Sequence, residues 1–179
     1  SPDYEDPIDS DGDNVYVLNV VASDGSLQTI SPEFRVIILN LNDNNPVFVD
    51  LQEDVEVTNG QINVFDIVVT DADGDDISLS LTGDDASAFV ISDSDTLSFA
   101  TAPDFANPSD QNGDNVYMIA IEATDGERIT LSNQIEITVL EVNNPPVISD
   151  LLTSYTLDEN IAEIATFSVT DPESNQLTI

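Results

Sequence analysis

The chain repeats itself with a period about the size of one small domain, and that limits its possible folds more than any other feature. Pro2 to Asn42 lies over Pro103 to Asn143 without a gap at an offset of 101, and Val47 to Leu79 lies over Val147 to Ile179 at an offset of 100. The segment PDYEDPIDSDGDNVYVLNVVASDG (2–25) answers to PDFANPSDQNGDNVYMIAIEATDG (103–126). Self-similarity at this spacing signals tandem copies of one unit. The register assigns residues 1–44 to the back part of one repeat, 45–145 to a whole repeat and 146–179 to the front part of a third. Neither flanking piece is long enough to bury a core alone. The expectation is therefore a window on a longer array. Completion of the two pieces between molecules is the alternative, and it lacks any counterpart of residues 80–101.

Each repeat reads as all-β. Short runs rich in Val, Ile, Leu and aromatics occupy Val15–Ala22, Phe34–Leu41, Ile62–Thr70, Ile77–Thr82, Phe89–Ile91, Thr96–Phe99, Val116–Ala123 and Ile135–Val142, bounded by Asp, Gly, Asn or Pro. In Val116–Ala123, one face carries Val116, Met118 and Ala120 and the other carries Tyr117, Ile119 and Ile121. Two apolar faces mark an inner strand. No segment has a helical period. About seven short strands in roughly 100 residues predict a Greek-key β-sandwich. The linkers Asn42-Asp43-Asn44-Asn45-Pro46 and Asn143-Asn144-Pro145-Pro146 are short, and proline ends the strand before them. Neighbouring sandwiches must share groups across them.

Charge narrows the function. There are 36 acidic residues against two basic ones, Arg35 and Arg128, for a net charge of −34. Such a surface repels nucleic acid and anionic membranes and collects cations. The apolar content is 40%, too high and too patterned for a disordered acidic tail. The absence of cysteine excludes disulfide staples and thiolate metal sites. No apolar run reaches the length of a membrane span.

Five acidic or Asx clusters recur once per repeat. They are Asp3-Tyr4-Glu5 with Asp104-Phe105-Ala106, Asp24-Gly25 with Asp125-Gly126, the two linkers, Asp71-Ala72-Asp73-Gly74 with Asp171-Pro172-Glu173-Ser174, and the hairpin Asp9-Ser10-Asp11-Gly12-Asp13 with Asp110-Gln111-Asn112-Gly113-Asp114. Calcium takes six to eight hard oxygens from carboxylates, Asn amides and carbonyls. Carboxylates this close repel unless an ion lies between them. Asp, Asn and Gly also make ordinary turns. The phasing of the first four clusters beside a short linker favours calcium. The Asp9, Asp11, Asp13 spacing resembles an EF loop but lacks its closing Glu, and it reads as an acidic hairpin turn.

With these motifs in order, the chain resembles the cadherin repeat in its bacterial form, as in large calcium-dependent bacterial surface adhesins. The marks are Asp3-Tyr4-Glu5, Ala22-Ser23-Asp24-Gly25, Asn40-Leu41-Asn42-Asp43-Asn44-Asn45-Pro46, Asp71-Ala72-Asp73 and Glu159-Asn160. The resemblance implies seven-stranded sandwiches with calcium at each junction. For the first junction it implies Asp3 and Glu5, then Asn42, Asp43 and Asn44 of the linker, then Asp71, Asp73 and Asp125. For the second it implies Asp104, Glu141, Asn143, Asn144, Asp171 and Glu173. There the chain departs from the pattern. Ala106 replaces Glu, Asn144 stands for Asp43, and Asn59 stands where the next repeat has Glu159. Asp24 is assigned to a junction upstream of residue 1.

The reading that follows is a calcium-stiffened structural or adhesive repeat at the cell surface or outside the cell. Its partners are neighbouring repeats, other copies in a fibre, or a cell-surface ligand. A carbohydrate-binding or enzyme-appended module needs a row of exposed aromatics, yet aromatics make up 6% and Trp is absent. Enzymatic chemistry is disfavoured by the lack of His, Cys or a paired base. A halophile surface explains the charge but not the phased motifs.

Overall fold

The computed structural model describes residues 1–160 and 166–178. Residues 161–165 and 179, part of the expected third segment 146–179, lie outside the described residues. Among the described residues the chain is all-β apart from one 3-10 turn, Ala86–Ala88. The strands are β1 (Val15–Leu18), β2 (Val21–Ser23), β3 (Gln28–Ile30), β4 (Phe34–Ile37), β5 (Val47–Phe48), β6 (Asp54–Thr58), β7 (Asn63–Asp66), β8 (Val69–Thr70), β9 (Ser78–Thr82), β10 (Phe89–Ile91), β11 (Thr96–Phe99), β12 (Val116–Thr124), β13 (Ile129–Leu131), β14 (Ile135–Leu140), β15 (Val147–Ser149) and β16 (Ser168–Thr170).

The central repeat is a sandwich. Strand β12 pairs with β9 on one edge and with β14 and β13 on the other, and β6 adds to β14 in parallel. The facing sheet runs β10-β11-β7. Between them lie Val57, Ile67, Phe89, Leu97, Phe99, Tyr117, Ile119, Ile121, Ile135, Ile137 and Val139. Alternation in β12 sends Tyr117, Ile119, Ile121 and Ala123 inward and leaves Val116, Met118 and Ala120 half-buried. Phe89, Phe99 and Tyr117 pack as a cluster, with both tyrosine contacts edge-to-face at 5.6 and 5.1 Å. The Tyr117 hydroxyl reaches Ser109, accepting its amide at 3.2 Å. Gly83 is required where the chain crosses β12. A Cβ there would lie 2.9 Å from Ile119 Cα, and its φ is +109°.

Two expected strands are broken. Val15–Ala22 splits at Asn19-Val20, where the Ser31 hydroxyl accepts the Val20 amide and, among the described residues, no strand pairs along the other edge. Ser132 accepts the Ile121 amide in the same way, but β12 stays continuous there because β9 pairs with it. Ile62–Thr70 splits because the chain changes sheets: β7 pairs with β11, whereas β8 pairs with β5.

In the first segment β1 pairs with β4 and β2 with β3, and among the described residues of the last segment β15 pairs with β16. Leu18, Val20, Phe34 and Val36 are 41–57% exposed, while their repeat counterparts Ile119, Ile121, Ile135 and Ile137 are at most 1% exposed.

Candidate metal centre

The first linker is fastened to the loop after β8 by one carboxylate. Asp73 Oδ2 accepts the amides of Asp43 (3.0 Å) and Asn44 (2.7 Å), and Oδ1 accepts the Asn44 side-chain amide at 2.9 Å. Asn40 Nδ2 donates to the Asp73 carbonyl at 2.7 Å. Asp71 Oδ1 caps its own turn by accepting the amides of Asp73 (2.9 Å) and Gly74 (3.1 Å). This Asx turn is why the Asp-x-Asp-Gly spacing aims two carboxylates the same way. The hairpin between β12 and β13 supplies Asp125, whose Oδ1 accepts the amides of Glu127 (2.8 Å) and Arg128 (2.7 Å).

These elements gather charge. Oxygens of Glu5, Asp43 and Asp73 lie within 4.8 Å of one another, and so do those of Asp71, Asp73 and Asp75. Asp73 belongs to both trios and is 8% exposed. Glu5 and Asp75 are exposed, but partial desolvation pushes the Glu5 carboxyl up, aided by the facing Asp73 and by Asp3. Partial desolvation also pushes Asp75 up, together with the charges of Asp71, Asp73, Asp125 and Glu127. Burial acts against ionisation at Asp73 too, but the amides of Asn44 and Asp43 outweigh it and hold that carboxyl below its ordinary value. Asp125 is likewise lowered, its burial outweighed by the Arg128 and Glu127 amides and the neighbouring Asn42 side chain.

Three side-chain oxygens at this junction, Asn42 Oδ1, Asp71 Oδ2 and Asp125 Oδ2, are buried without any hydrogen-bond donor. Buried acceptors normally find a partner. Hard, donor-free carboxylate and amide oxygens are what a calcium ion coordinates. The residues present fit the ion.

Of the residues expected at the first junction, Glu5, Asp43 and Asp73 come together directly. Asp71 joins through Asp73, and Asn42 and Asp125 present the unpartnered oxygens. Asn44 serves as a hydrogen-bond donor holding Asp73. Asp3 sits beside Glu5, accepting its amide at 3.1 Å. Asp75 was not foreseen, although the run Asp71-Ala72-Asp73-Gly74-Asp75-Asp76 contained it. Arg128 was also missed, because nothing in its own neighbourhood links it to a linker 86 residues away.

The second junction is sparser. Asn144 donates its amide (3.0 Å) and its side chain (2.6 Å) to Glu173. This repeats the Asn44–Asp73 arrangement, so Asn144 is the counterpart of Asn44. The residue standing opposite Asp43 is therefore Asn143, not Asn144. Asn143 Oδ1 accepts Asn175 Nδ2 at 2.7 Å. Asp171 Oδ1 caps its turn at the Glu173 amide, 3.1 Å. Asp104 caps its own loop by accepting the Ala106 amide at 3.0 Å, and Glu141 is exposed. Asn59 accepts the Phe105 amide at 3.0 Å, which places it beside Asp104. Among the described residues, no carboxylate trio forms at this junction.

The hairpin Asp9, Asp11 and Asp13 also clusters within 4.8 Å. Asp9 accepts the Gly12 amide and Asp13 Oδ1 accepts the Val15 amide at 2.9 Å, as in a turn.

No family model matches the chain. In sequence it is 30% identical over 167 residues to mouse Protocadherin Fat 4, covering 87% of this chain and 3% of that protein. It is 29% identical over 174 residues to mouse Cadherin-related family member 2, covering 86% and 12%. The chain thus spans a small part of each relative's length. In structure it is similar to human Protocadherin-24 EC1-2 (TM-score 0.55, 20% identity, 78% of this chain and 69% of that one). It is also similar to human Mucin-like Protocadherin EC1-2 (TM-score 0.54, 18% identity, 79% and 72%). The class that the fold defines is the cadherin-like β-sandwich.

Proposed function

We propose that the chain is a run of cadherin-like repeats from a longer extracellular protein, stiffened by calcium at its junctions and serving adhesion as reach or contact surface. The observation that carries this reading is the pair of carboxylate trios sharing the buried Asp73, beside three buried oxygens without donors. Asp3, Glu5, Asn42, Asp43, Asp71, Asp73, Asp75 and Asp125 would hold the ion, with the Asn44 carbonyl. The ion would neutralise the cluster and join the linker to both neighbours. The boundary after residue 44 fits the exposed face of the first segment, where Leu18, Val20, Phe34 and Val36 match buried residues of the central repeat, and the boundaries 45–145 and 146–179 follow the repeat register. The likeness to cadherin-named relatives supports a place outside the cell. Among the described residues no helix is long and apolar enough to cross a membrane. The Gly-Asp-Asn-Val-Tyr hairpin carries the likeness to the bacterial form.

The test is a calcium titration followed by melting and small-angle scattering at fixed ionic strength. An ion that binds only the folded state adds about 2.7 kcal/mol per site at a hundredfold excess over Kd. Melting should rise with calcium and not with sodium, and EDTA should reverse it. Curves insensitive to EDTA sink the reading.

A further inference from the structure

Arg128 is one of two cations in the chain and lies in the hairpin between β12 and β13. Its main chain is fixed there. The amide donates to Asp125 Oδ1 at 2.7 Å and the carbonyl accepts Thr124 Oγ1 at 2.7 Å. Its side chain reaches out of the hairpin, and Nε donates to the Asn42 carbonyl at 3.2 Å. One residue on, the Ile129 carbonyl accepts Asn45 Nδ2 at 3.3 Å. Two bonds therefore hold linker residues 42–45 to the hairpin, and neither uses a carboxylate oxygen. The hairpin itself does not need arginine, since the repeat register puts Leu27 at the equivalent position of the first repeat, where the same turn bonds form between Asp24 and the amides of Ser26 and Leu27.

The surroundings are otherwise anionic. Asp125 and Glu127 share the hairpin, and together with Asp71 and Asp73 they bear on Asp75. The Arg128 guanidinium enters these surroundings at the Asn42 carbonyl, where its positive charge opposes the arrival of a metal cation.

We propose that Arg128 is a positioning residue of the first junction. Its guanidinium clamps the linker to the hairpin without any metal, and its charge holds the calcium affinity below what the carboxylates alone would give. The second half rests on the calcium reading; the clamp does not.

The whole chain carrying R128L or R128K separates these effects. Hydrogen exchange in EDTA reads the clamp at the amides of Asp43 and Asn44, and calorimetry reads calcium affinity. The core amides of Ile119 and Ile137 report that the fold is intact. In R128L the linker amides should exchange severalfold faster while the core amides do not change, and calcium should bind severalfold tighter. R128K keeps the charge but loses the Nε donor, so its linker should exchange faster with calcium affinity unchanged. Linker exchange equal to wild type in both variants overturns the clamp. Affinity in R128L that is unchanged or weaker overturns the charge effect. A wild-type chain that takes up no calcium overturns the proposed function and the charge effect together, while exchange in EDTA still decides the clamp.

Discussion

A carboxylate as buried as Asp73, facing Glu5 and Asp43 rather than a cation, is stable only because main-chain and amide donors surround it. Asp73→Asn keeps the shape but turns an NH2 group toward some of those donors. Leaving them unsatisfied costs about 1–3 kcal/mol. For a domain of this size that lowers Tm by roughly 4–8 °C per kcal/mol. Melting in EDTA should show this loss, and the calcium-dependent rise should vanish. The titration of the same cluster has a sign that depends on the ion. Glu5 and Asp75 have raised folded values, so the ion-free fold takes up protons that the unfolded chain does not. Its stability should therefore rise as pH falls from 7 toward the ordinary carboxylate range of about 4. Asp73 and Asp125 are lowered. Their contribution is present above their unfolded values and is lost as pH falls through the folded ones, so stability should turn down at still lower pH. With calcium the first trend should reverse, because protons compete for its ligands. Melting at several pH values with EDTA and with calcium checks both. An ion-free Tm that falls steadily from pH 7 contradicts this account.

At the scale of elements, one loop shows how the sandwich is locked. Asp85 is 6% exposed. Its carboxylate accepts the Gln111 amide at 2.7 Å and the Met118 amide at 2.8 Å, tying the Asp110–Asp114 hairpin to β12. Asp85→Ala strands both donors and should cost about 1–3 kcal/mol for each one left buried, read as a lower Tm and faster exchange over 110–114. Exchange there equal to wild type would show that the hairpin holds itself. Strand β12 was legible because Tyr117, Ile119 and Ile121 alternate over a long apolar run. Strand β6 was not, since Val55 and Val57 are set among Asp54, Glu56 and Thr58 and are fixed by parallel pairing with a strand some 80 residues away. The breaks at Asn19-Val20 and Ile67-Val68 were hidden for the same reason. The presence of a partner along the second edge, or a change of sheet, is decided by tertiary structure and leaves apolar periodicity intact. The site was more legible than the strands, because Asx turns are local. Asp71 and Asp125 each hold amides two or three residues ahead, whereas Asp73 holds the linker amides of Asp43 and Asn44. Asp75 belongs to the same acidic run as Asp71 and Asp73, whereas Arg128 acts across 86 residues and sequence spacing gave no sign of it.

At the scale of the whole molecule, the two junctions are unequal, and the difference is chemical. The first has Glu5 and Asp43, whereas the corresponding positions of the second are Ala106 and Asn143. On the proposed calcium reading, each missing carboxylate removes both charge and a ligand, which should lower the affinity. The repeat architecture makes stiffness a sum over junctions, so the second should be the softer hinge at intermediate calcium. Asp43→Asn should weaken the first junction toward the second. Ala106→Glu with Asn143→Asp should strengthen the second. Asn144→Asp should not, because the Asn144 amide group is the donor that holds Glu173 and a carboxylate there would repel it. Calorimetry on the full chain with each set of substitutions, together with scattering at graded calcium, decides the matter. Equal affinities at both junctions, or a gain from Asn144→Asp equal to that from Asn143→Asp, would show that the ligands of the second junction have been misassigned.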